Sequence, residues 1–168
     1  MAKIAPIERL QPCLLDRLTD DEPEVSRESR DQHVVSMRKY RKAVLRDVEM
    51  LFNSRAYPLH DMIYEFDEVA QSVLNYGILD VSGESIYGGK TSKLEAQFKQ
   101  ALKNFEPRIS HKALSVHMVS SSGTHDIRTL LFEISGELWA QPLPDQLFIK
   151  TEVDLETGHC KWKGEPGG

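Results

Sequence analysis

Cysteine is scarce in this chain, which has two in 168 residues, Cys13 and Cys160, near opposite ends. So few exclude a disulfide-stapled scaffold, and their separation excludes a local metal knuckle, so both are read as free thiols of a reducing compartment. Long apolar runs are also missing. The longest spans a few residues, against the roughly 20 that a membrane-crossing helix needs. Glu8 and Arg9 fall where a secretion signal requires its apolar centre. Positive charge is in deficit: 21 Lys and Arg against 26 Asp and Glu leave a net charge of -5. Nothing global therefore draws the chain to nucleic acid or to an anionic membrane. What remains is an ordinary globular composition, 40% apolar and 28% charged, of a length that suits one hydrophobic core.

The signatures of common chemistries are missing too. In GESIYGGKTS, residues 83–92, five residues separate Gly83 from Gly89, whereas a phosphate-wrapping loop needs four before its GK[ST]. His33, His60, His111, His117, His125 and His159 stand singly, so no helix face carries two imidazoles for a metal. No G-x-S-x-G turn presents a nucleophilic serine. Carboxylates are plentiful, but nothing in their spacing pairs two across a cleft as glycoside hydrolysis requires. The reading is a non-enzyme that uses no cofactor and no metal.

Periodicity organises the rest. Residues 5–19 form a short amphipathic segment with Ile7, Leu10, Leu14 and Leu18 in step. It is too short to be stable alone and is expected to dock on something. A charged stretch, DDEPEVSRESRDQ, then reads as a linker over 20–33, and a domain is expected over 34–160 with a flexible tail at 161–168. A helix is predicted over 36–53 from Met37, Tyr40, Val44, Val48 and Leu51, a second over 59–77, and a third over about 93–104 from Leu94, Phe98, Ala101 and Leu102, stopped by Pro107. From Lys112 the period becomes two, and three antiparallel strands are predicted, the last with Leu147, Ile149, Thr151 and Val153 in step. The expected fold is α+β and two-layered, about three helices on one face of a three-stranded antiparallel sheet, preceded by an amphipathic docking helix.

Three features suggest assembly. Arg38, Lys39, Arg41, Lys42 and Arg46 give the first body helix a basic face, suited to an acidic protein partner, as a second reading to nucleic acid, or equally to solvent alone. FEPRI, residues 105–109, sets Glu106 and Arg108 beside a helix-ending proline and between apolar positions. Buried there, the two charges must be paired with each other or bound to backbone carbonyls, a bracing role that suits the planar fork of arginine. The last strand, if it lies at an edge, can accept a partner strand through its backbone.

LLDRL at 14–18, LFNSR at 51–55, SVLNYGILDVSG at 72–83, FEPRI at 105–109 and LFEISGELWAQPLPDQLFIKTEVDLETG at 131–158 together resemble the TssE family of type VI secretion baseplate subunits. That family is similar to the wedge protein of contractile phage baseplates, historically labelled lysozyme-like. The resemblance implies a structural, non-catalytic cytoplasmic subunit in a baseplate docked near the inner membrane. It would join other wedge subunits (TssF, TssG, TssK) and start the sheath (TssB, TssC), with Glu106, Pro107 and Arg108 as the family's EPR motif. The residues expected to meet partners are these three, Leu10, Leu14 and Leu18 of the docking segment, and Ile149, Thr151 and Val153 of the last strand. The older label makes a glycan hydrolase the alternative.

Overall fold

The computed structural model describes residues 10, 12–19, 23–24, 36–82, 90–119, 129–140 and 144–163. The expected linker, the glycine-rich stretch at 83–89 and the turn after the first strand lie outside these, apart from Pro23 and Glu24. Among the described residues there are four α-helices, α1 (Leu14–Leu18), α2 (Met37–Phe52), α3 (Asp67–Ala70) and α4 (Lys90–Phe105), and four strands, β1 (Ser115–Val119), β2 (Thr129–Leu138), β3 (Asp145–Asp154) and β4 (Cys160–Trp162). The strands form one antiparallel sheet in the order β1-β2-β3-β4. Three helices over three strands is therefore incorrect, and the additions have local causes.

The fourth strand depends on Gly158. Its backbone has φ of 68°, a left-handed conformation that glycine adopts without steric penalty. The Asp154 carboxylate accepts from the amides of Glu156 and Thr157 at 2.8 and 3.1 Å, which tightens the turn before it. The chain reverses, and Thr151, Glu152 and Val153 pair with Trp162, Lys161 and Cys160. Lys161 and Trp162 thus belong to the sheet rather than to a tail.

The predicted second helix over 59–77 is replaced by two 3-10 turns, Met62–Glu65 and Val73–Asn75, on either side of the single-turn α3. Side chains compete with the helix for its backbone donors. Asp61 accepts from the amide of Ile63 at 3.1 Å and Ser72 from that of Leu74 at 3.3 Å, each starting a new turn. Phe66 between them is extended.

The other elements follow their periodicity. Ser36 caps α2 by accepting from the Lys39 amide at 3.2 Å. α2 buries Tyr40, Val44, Val48, Leu51 and Phe52, and α4 buries Leu94, Phe98, Ala101 and Leu102. Both lie over the sheet face that carries Val116, Phe132, Ile134, Leu147, Ile149 and Val153, which is the core. Phe98 sits at its centre, 4.6 Å from Phe52 and 4.9 Å from Phe132 between ring centroids. The opposite face alternates half-exposed polar groups, among them the Glu133–Lys150 ion pair at 2.6 Å.

Asn53 ties α2 to the sheet. Its amide donates to the Cys160 carbonyl and its oxygen accepts from the Cys160 amide, both at 3.0 Å, as a strand residue would. Both cysteines are free thiols. Burial pushes the Cys160 thiol up to about 12, with Arg55 pulling weakly the other way. In native buffer an aromatic disulfide reagent should titrate only the half-exposed Cys13, and Cys160 only after denaturation. Equal labelling of both in the native protein would contradict a closed β3–β4 hairpin.

Candidate protein-interaction site

Pro107 fixes a turn directly after α4, in which the Ile109 amide donates to the Glu106 carbonyl at 3.1 Å. The end of that turn is sewn to β2: Ser110 donates to the Glu137 carbonyl at 2.8 Å and Trp139 to the Arg108 carbonyl at 2.7 Å. Glu106 is thereby carried into the interior, 3% exposed. Its carboxylate meets the Arg108 guanidinium on two atoms, at 2.6 Å from Nε and 2.5 Å from a terminal nitrogen. It also accepts from the Arg108 amide at 3.2 Å.

The network continues outward through α2. The same terminal nitrogen of Arg108 donates to Asp47 at 2.7 Å. The other oxygen of Asp47 accepts from two nitrogens of the adjacent Arg46, at 2.9 and 2.7 Å. Arg46 in turn donates to Asp16 of α1 at 2.7 Å, and the Cys13 thiol donates to the remaining Asp16 oxygen at 2.9 Å. Glu106, Arg108, Asp47, Arg46 and Asp16 thus alternate in sign from the core to the N-terminal segment.

The carboxylates hold the two arginines ionised, and Arg46 does the same for Asp16. Burial opposes the positive charge of Arg108, but hydrogen bonds and charge from Glu106 and then Asp47 outweigh it and raise its pKa further. The hydrogen bonds that Arg46 donates to Asp16 and Asp47 do the same for it. Burial works against the Asp16 carboxylate, yet the bonds from Cys13 and Arg46 leave it below its ordinary range. Two tyrosines flank the network, and burial chiefly keeps both phenols protonated. Tyr40 donates to the Trp139 carbonyl at 3.2 Å, and Tyr76 stacks edge-on against Phe105 at 5.2 Å.

The residues marked from the sequence are distributed unevenly. Glu106 and Arg108 bind each other within the chain, while Pro107 faces solvent. Leu10 packs on the core, whereas Leu14 and Leu18 of α1 are exposed, as is Leu15. Ile149, Thr151 and Val153 point into the core, and β4 covers the β3 backbone at Thr151 and Val153. Of the five cations of the basic face, Arg41 is ion-paired with Asp145 at 3.1 Å and Arg46 belongs to the network. Sequence reasoning missed Asp16, which nothing local links to a residue 30 positions away. It also missed Trp139, 62% exposed beside the turn although Arg108 fixes its backbone. An exposed tryptophan on a rigid support is a common anchor of protein interfaces.

Among the described residues no cluster of His, Cys, Asp and Glu could hold a metal, and no helix is long and apolar enough to cross a membrane. Asp47 and Glu106 each turn an oxygen to the same terminal nitrogen of Arg108. The family model described as "Baseplate wedge protein gp25" matches residues 38–143, more than half of the chain, from α2 through the network turn to just beyond β2. The chain belongs to this family. Membership in the gp25 baseplate wedge family makes it a structural, assembly-type protein. Among curated proteins and solved structures no match was found. The matched span of the gp25 family contains Arg46, Asp47, Glu106 and Arg108 but not Asp16, β3 or β4.

Proposed function

We propose that this wedge-family chain joins the other wedge subunits of a type VI secretion baseplate and starts the contractile sheath, working in the cytoplasm where the baseplate meets the inner membrane. The observation that carries this reading is the attachment of α1. One face of this five-residue helix is pinned by Asp16 to Arg46, and Leu14, Leu15 and Leu18 are left in solvent. So short a helix has little stability of its own. Held by an ion pair and presenting leucines outward, it is shaped to be completed by a wedge partner. The charge network then links that contact to the core, so a load on α1 passes to α2 and the end of α4.

Sheath initiation needs a free sheet edge. β3 is interior to the sheet, so the strand-accepting edge is an outer one. β1 offers five residues and β4 three, and Asn53 already takes both Cys160 groups of β4. On β1 the Met118 amide donates to the Glu95 carboxylate of α4, at 2.7 Å, rather than to β2. A removable side chain thus guards that edge until a strand displaces it. The strand comes from the sheath proteins, by backbone pairing.

The test is affinity purification of the tagged full-length chain from its own cells, with mass spectrometry of what is retained. Wedge and sheath subunits should be recovered. With Leu14→Asp and Leu18→Asp combined, the wedge subunits should fall by at least about tenfold, while the thermal midpoint moves by no more than about 2 °C, since both side chains are exposed. Met118→Pro should prevent sheath assembly and leave wedge recovery intact. A chain that retains none of these partners would refute the reading; normal sheath with Met118→Pro would refute the β1 edge alone.

A further inference from the structure

Eleven large apolar side chains are exposed among the described residues, and six of them, Tyr57, Leu59, Met62, Phe66, Val73 and Leu74, fall within eighteen consecutive positions. Single exposed apolar groups are normal in proteins, but six within one short segment are a concentration that calls for a cause. The segment is also not a loose loop. Its polar interior is satisfied around the buried Asn75, whose oxygen accepts from the Tyr57 amide at 2.9 Å and whose amide donates to the Ala70 carbonyl at 2.8 Å. The Tyr64 hydroxyl accepts from the same amide at 3.3 Å and donates to the Tyr57 carbonyl at 2.8 Å. The knuckle is built inside out, with its hydrogen bonds within and its apolar side chains without.

Its charge is one-sided. Asp61, Glu65, Asp67 and Glu68 lie among the apolar groups, and residues 57–76 contain no lysine or arginine. Among the described residues none of the four carboxylates is ion-paired, whereas Asp16, Asp47, Glu106, Glu133 and Asp145 all are. A rigid apolar surface set with unpaired carboxylates complements an apolar stripe flanked by cations. We infer that the knuckle over 57–76 is a docking surface for a basic amphipathic helix of another protein. A second copy of the same knuckle would bring like charges together, and nucleic acid or an anionic membrane would be repelled for the same reason. Because many backbone amides of the knuckle already donate within it, a partner strand finds little to pair with. A helix needs only side-chain contact, and the long stems of its lysines and arginines cover apolar surface while their ends reach the carboxylates. This surface shares no residue with α1 or with the sheet edge.

The test replaces Leu74 with the photo-cross-linker p-benzoylphenylalanine in the full-length chain, irradiates living cells and maps the attached peptide by mass spectrometry. The expected adduct is with another protein, on a peptide with apolar residues three or four apart and at least three lysines or arginines. Combining Asp61→Asn, Glu65→Gln, Asp67→Asn and Glu68→Gln should lower its yield by about tenfold or more with an unchanged melting temperature. An adduct on a peptide without excess cations, an adduct between two copies of this chain, no light-dependent adduct, or one indifferent to neutralisation would each overturn the inference. The baseplate reading is judged separately by the protein to which the peptide belongs. A basic helix from outside the baseplate upholds the knuckle and argues against that reading, and an acidic peptide from a wedge protein does the reverse.

Discussion

Arg108→Ala should destabilise the isolated chain by about 3–5 kcal/mol, the usual result of leaving a buried charge without its partner. Out of a total stability of about 5–15 kcal/mol, this is a large fraction. The size follows from the difference in burial between the two partners. Glu106 is nearly inaccessible and Arg108 only partly so, hence removal of the arginine strands a carboxylate that cannot reach water. Asp47 loses one donor as well but keeps Arg46. Urea unfolding should show the midpoint falling with the slope unchanged. Arg108→Lys should recover only part of the loss, because an ammonium cannot span both oxygens of Glu106 and Asp47 together. Replacing both partners, Glu106→Leu with Arg108→Leu, should be far milder than Arg108→Ala alone, since no charge is then left buried. An Arg108→Ala chain as stable as the parent would show that the pair does not brace the fold, and would move its purpose to a partner surface.

That pair was legible in the sequence, whereas its setting was not. Two charges flanking a proline and enclosed by Phe105 and Ile109 could be buried only if paired with each other or bound to backbone carbonyls, and the structure pairs them. α2, α4 and the first three strands were legible for a similar reason: each has a dry face and a wet face, and a period of 3.6 or 2 records which is which. The segment over 59–77 misled because its apolar residues have helical spacing without a dry face to serve. Met62, Phe66, Val73 and Leu74 are in solvent, and Asp61 and Ser72 decide the local geometry. β4 was missed because three residues carry too little alternation to detect. It exists through Gly158, through Asn53 and through the edge that β3 offers it. The link from Asp16 to Arg46 and the plug of Glu95 on Met118 are contacts between distant segments, and only folding brings them together.

Gly77→Ala should be nearly as damaging as the loss of Arg108, for a backbone reason. Gly77 has φ of 130°, where an L side chain is strained. A β-carbon there would lie 2.5 Å from the Ser54 carbonyl oxygen, 2.6 Å from its carbon and 2.9 Å from the Arg55 nitrogen. All three are main-chain atoms, and they cannot turn aside. They are held where they are because Ile78 donates to that same Ser54 oxygen at 3.1 Å and Ala56 donates to the Ile78 carbonyl at 2.9 Å, pairing the end of α2 with the chain leaving the knuckle. Relief of the clash must open this pairing and lift the buried Ile78 and Val81, so the expected loss is about 3 kcal/mol or more. Gly158→Ala provides the comparison. Its φ of 68° is also positive and its new β-carbon would also stand at 2.5 Å from a neighbour, but that neighbour is the terminal nitrogen of the Arg55 side chain, which can swing away. Its loss should stay near the 1–2 kcal/mol of the left-handed backbone alone. If the two variants melt together, the close approach of Gly77 to Ser54 is not what fixes the knuckle on α2; if Gly77→Ala melts well below Gly158→Ala, the rigid base required for the docking surface at 57–76 is established.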